Sequence, residues 1–170
     1  MKTFSILAAV TALSLAAPVG AAPVVEVAFI DPARYTDAAT RGHLASERER
    51  DATLAELRTH LYALGAKFLK DGDRLALEVL DVDLAGNFEP TGEGGRHERL
   101  LFDVTVPRIQ LRYTLVRGGV EFAGEERLTD LGYLQRLSTC RSAAGLCYEK
   151  RMVDEWFARL LAVRITKKPQ

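Results

Sequence analysis

Residues that most often carry chemistry are scarce in this chain. Its 170 residues include three histidines, two cysteines, two methionines and one tryptophan. His43, His60 and His97 are scattered, none at metal-ligand spacing from another His or from a Cys, which argues against a zinc site. After residue 21 the only serines are Ser46, Ser138 and Ser142, and no Gly-x-Ser-x-Gly elbow occurs, so serine hydrolysis has no motif behind it. The stretch Gly92 to Gly95 lacks the Lys-Ser/Thr pair of a phosphate loop. Excess charge is missing too: 23 basic and 23 acidic side chains balance, unlike the basic surplus of a nucleic-acid binder.

What the chain does have begins with a leader. Lys2 is followed by an apolar run from Phe4 to Ala17, and Val19-Gly20-Ala21 offers small residues to a signal peptidase. The run stops at Pro18, short of the roughly 20 apolar residues of a membrane span, and no Cys follows it to carry a lipid. Residues 1–21 are therefore expected to be a secretory signal peptide, cut after Ala21 rather than after Ala22, which would leave Pro23 directly beyond the cut. The expected product is soluble and periplasmic, with no membrane span, and residues 22–170 suit a single domain. In such an oxidising compartment Cys140 and Cys147 are expected to pair. Ala143, Ala144 and Gly145 make the enclosed loop flexible enough to bring the sulfurs together, and the spacing is not the Cys-x-x-Cys of a redox pair, so a structural staple is the reading.

Periodicity gives the elements. Val24, Val25, Val27, Phe29 and Ile30 form a β-rich run that ends at Asp31-Pro32. Residues 33–45 read as a loop with one helical turn. Ser46 and Glu49 fit a capping box, and Leu54, Leu57, Leu61, Leu64 and Phe68 recur along one stripe of a helix that ends at Asp71-Gly72-Asp73. Arg74 to Leu84 is a strand apolar on both faces, hence central. Asn87 to Arg96, with Pro90 and three glycines, reads as a loop. Arg99–Val106 and Arg108–Val116 are strands split by Pro107, and Val120–Leu128 returns as a hairpin after Arg117-Gly118-Gly119. In that hairpin Val120 and Phe122 are placed to meet Ile109, Leu111, Tyr113 and Leu115, while Arg108, Gln110, Arg112 and Thr114 form a solvated face. A last helix over Tyr148–Ile165 presents Val153, Trp156, Leu160 and Val163. The order β-α-β-β-β-α predicts an α+β two-layer sandwich: a mixed, mostly antiparallel sheet of four to five strands with two helices on one face.

The most suggestive chemistry lies in Asp81-Val82-Asp83-Leu84-Ala85-Gly86, because alternate strand residues point to one face. A helix-loop-helix calcium loop fails, since Ala85 and Gly92 stand where oxygen ligands are needed. Asp31, Asp37 and Asp130 are further acids at element ends that would join Asp81 and Asp83 in a binding cluster, the alternative being that these acids cap backbone amides at the wet end of a strand.

The segments VAFIDPARYTD (27–37), EVLDVDLAG (78–86), PRIQLRYTL (107–115), LTDLGYL (128–134) and YEKRMVDEWF (148–157) together make the chain similar to the domain of unknown function 3016 family of exported bacterial proteins. The resemblance implies a small periplasmic α+β domain and transfers no catalytic residue. The reading is of a non-enzymatic module, without cofactor, for an envelope protein or a small ligand. The alternative is a cation-dependent, hydrolase-like enzyme built on Asp81 and Asp83 with Asp31 or Asp130; a third possibility is strand addition at an exposed sheet edge.

Overall fold

A computed structural model describes residues 22–39, 47–91, 96–135 and 145–162. Strand β1 (Val24–Phe29) leads through a short 3-10 turn at Pro32–Arg34 to helix α1 (Glu47–Phe68) and strand β2 (Arg74–Asp83). Strands β3 (Asn87–Thr91) and β4 (Arg96–Leu100) form a separate hairpin, β5 (Arg108–Arg117) and β6 (Val120–Thr129) form another, and helix α2 (Cys147–Ala162) comes last. The main sheet runs β1-β2-β5-β6, with β1 parallel to β2 and the other pairs antiparallel. The mixed sheet and its two helices make the α+β sandwich that the periodicity predicts.

Both helix stripes pack on one face. Leu54, Leu57, Leu61 and Leu64 of α1, and Met152, Val153, Trp156, Phe157 and Leu160 of α2, join Leu75, Leu77, Val79, Ile109, Leu111 and Leu115 in one core. Each such side chain contributes about 1.5–3 kcal/mol by leaving water. Trp156 meets Tyr113 edge-on at 5.9 Å. Phe122 packs against this core, but Val120 stays exposed. The opposite face is polar, as expected: Arg112 pairs with Glu78 at 2.7 Å and Glu125 at 3.1 Å, which stand directly across from it on the neighbouring strands.

Three expectations need correction. The supposed loop at 87–96 contains β3 and the start of β4; Pro90 is tolerated because a two-stranded ribbon has free edges. The glycine-bearing positions 92–95 lie outside the described residues. The supposed strand Arg99–Val106 ends at Leu100, and Thr105 then bonds back to Phe102 in a turn. Strand β2 is central but not apolar on both faces: the register shifts between Val79 and Asp81. The bulge reverses the alternation, so Leu75, Leu77, Val79 and then Val82 face the core. Ser46, and with it the capping box, lies outside the described residues, as do Val163 and Ile165.

Candidate functional site

The β2 bulge decides where the acids go. Beyond it Asp81 pairs in register with Gln110 and Asp83 with Arg108, so both carboxylates stand on the solvent side of the sheet. Alongside, the chain leaving β1 makes its 3-10 excursion and returns at Asp37, whose N–H donates to the Val82 carbonyl and whose carbonyl accepts from the Leu84 N–H. Asp31, Asp37, Asp81 and Asp83 thus gather around the segment 31–37, whereas Asp130 lies after β6.

Every one of these acids already has a donor or a cation. Asp81 accepts the N–H and the hydroxyl of Thr36, both at 2.8 Å. Asp83 pairs with Arg108 at 2.9 Å; burial pushes its carboxyl up, with Arg108 opposing and Asp37 and Asp81 adding to the rise. Asp31 sits in left-handed backbone at φ 50 and contacts Arg34 at 3.6 Å. Asp130 pairs with Arg151 at 2.8 Å and accepts the Gly132 N–H. Tyr35, between these acids, donates to the Val79 carbonyl at 2.7 Å, and burial lifts its phenol to about 12. Among the described residues no group of three or more His, Cys, Asp or Glu side chains could hold a metal ion.

The centre of the arrangement is Arg99, whose side chain is only 4% exposed. It donates to Asp37 Oδ2 at 2.7 Å and to the carbonyls of Ala39, Ala85 and Gly86, and lies 4.4 Å over the Phe88 ring. Gly86 has φ 82, and a Cβ there would collide with the Leu100 carbonyl, so the turn under Arg99 requires glycine. From α2, Glu149 reaches the same turn and accepts the Ala85 N–H at 2.8 Å. Burial pushes the Glu149 carboxyl up and Asp37 adds to this, while the Ala85 N–H and Arg99 oppose it. A second small core of Ala85, Val106, Tyr133 and Tyr148 seals this end, with Tyr133 donating to the Phe102 carbonyl.

Sequence spacing missed Arg99 and Arg151, which no local pattern marks. Glu149 carried a signal: it lies four residues before Val153 on the buried stripe of α2, where a carboxylate requires a partner.

A groove opens elsewhere, between the helices. The helices run with a constant offset: Lys150 pairs with Glu56 and Asp154 with His60, each at 2.6 Å. One turn further on, most of the facing side chains become apolar. Ala63, Leu64 and Phe68 of α1, with Ala158, Leu161 and Ala162 of α2, line a groove of about 660 Å³, to which Lys67 and the His60–Asp154 pair also contribute. Two hollows beside the 3-10 turn are smaller, about 120 and 240 Å³.

The class these features define is a small α+β sandwich whose charged end is locked by buried arginine contacts. The chain belongs to the family described as protein of unknown function DUF3016, which matches residues 23–159. No curated protein and no solved structure matches it. The segments that carry the family resemblance bind one another: Thr36 holds Asp81, Arg99 ties Asp37 to Gly86, Glu149 holds Ala85, and Arg151 holds Asp130. No helix among the described residues is long and apolar enough to cross a membrane.

Proposed function

We propose that this protein is an exported, periplasmic module that binds rather than catalyses, and that the groove between α1 and α2 receives the apolar part of a small ligand or of an envelope protein. The leader at residues 1–21 supports the compartment, and a Cys140–Cys147 staple belongs to the same reading. The observation that carries the binding role is the groove itself. Its volume falls within the range of small-molecule pockets and its walls are mostly carbon. The acids of the cation-dependent alternative are held by Thr36, Arg108, Arg34 and Arg151, so a cation would have to displace bonds already made.

The test uses the full mature chain and an apolar naphthalene-sulfonate dye. The dye binds the wild type, and a groove-filling Ala158→Trp variant of unchanged melting temperature binds it about tenfold more weakly. Equal binding by both overturns the groove. Millimolar calcium, magnesium, manganese or zinc leaves the melting temperature unchanged; a rise of several degrees that vanishes in Asp81→Asn/Asp83→Asn would instead favour the cation-dependent enzyme.

A further inference from the structure

Asp37, Arg99 and Glu149 place two carboxyls and one guanidinium together, Glu149 and the Arg99 side chain buried and Asp37 partly exposed. The Arg99 hydrogen bonds go to Asp37 and to the carbonyls of Ala39, Ala85 and Gly86, and its Nε is buried without a partner. Glu149, 4% exposed, is held by backbone amides, those of Ala85 and of Glu149 itself, rather than by a cation in contact among the described residues. The charged and titratable groups that face it are Arg99 from β4, Asp37 from the segment beside β2, and Tyr133 from the turn after β6. Among the described residues no cation touches Glu149, so its ionised carboxylate, at a site only 4% exposed, is costly.

We propose that Glu149 makes this cluster an acid-sensing lock: uptake of one proton at its carboxyl leaves a balanced Asp37–Arg99 pair and removes the cost of holding a buried charge where α2 meets the Leu84–Gly86 turn. The neutral carboxyl keeps the Ala85 bond through its carbonyl oxygen. The direction of the effect follows from linkage. Burial places the folded-state Glu149 above its ordinary 4.5, so between 4.5 and that raised value the folded chain holds more protons than the unfolded one. The stabilisation is complete below that window and is lost as pH rises through it.

Two measurements on the mature protein test the lock. As pH falls from about 8 to about 5, the melting temperature of the wild type gains on that of Glu149→Gln, whose amide mimics the neutral form. In the wild type the Ala85 amide resonance titrates with a midpoint above 4.5, and in Glu149→Gln that step is missing. A flat difference between the two melting curves, or an Ala85 midpoint at or below 4.5, overturns the proposal. If Glu149→Gln does not fold, the Ala85 titration of the wild type decides alone.

Discussion

A guanidinium can serve several acceptors in one plane, and Arg99 uses that capacity on groups from two segments: Asp37 and Ala39 before α1, and Ala85 and Gly86 after β2, all reached from β4. Lysine has a single head and cannot span them. Removing one partner of a buried pair strands the other, so Arg99→Ala is expected to cost about 3–5 kcal/mol, read as a lower urea midpoint at unchanged slope. A loss under about 1 kcal/mol would mean that Asp37 finds water when Arg99 leaves. Sequence reasoning singled out Asp31, Asp37, Asp81, Asp83 and Asp130 because aspartates at element ends are easy to see. Their partners were not legible. Arg99 and Arg151 come from elements far along the chain, and no spacing rule links a residue in β4 to one beside β2.

Among the elements, β2 shows how a single irregularity redirects chemistry. Read as an unbroken strand, it gives two apolar faces; with the bulge after Val79, Val82 turns inward and Asp81 and Asp83 turn out. Alternation made the strand visible, but the alternation breaks in the pairing with β5, between Val79 and Asp81, a tertiary event. The β3–β4 hairpin was hidden for a different reason. Its sequence contains Pro90 and charged residues on both arms, a composition that resembles a loop. The first turn of α2 opens at Cys147, and its expected partner Cys140 lies outside the described residues. If the two are joined, thiol labelling of denatured, non-reduced periplasmic material finds no free sulfhydryl, and closure of so short a loop contributes about 2–3 kcal/mol. Two labelled cysteines would remove the staple and reopen a redox role.

For the whole molecule, helix stripes and strand alternation were enough to specify one sandwich, because burial on one face leaves few ways to arrange two helices and four strands. The groove was not legible, since it exists only where Ala63 of one helix comes to lie across from Ala158 of the other. If residues 1–21 are a cleaved leader, N-terminal sequencing of the mature protein returns Ala22, and full-length chain in the membrane fraction would refute cleavage.

The order in which the contacts are made along the chain has a kinetic side. A chain that emerges N-terminus first, from a ribosome or across a membrane, can pair β1 with β2 before Glu149 and Arg151 have appeared. Until then the Ala85 N–H and the Asp130 carboxylate lack their partners from α2, and the sheet face that α2 covers is bare. Docking of α2 ends that interval. The only tryptophan in the sequence, Trp156, is buried against Tyr113 in that step, so its fluorescence times the closing of the molecule.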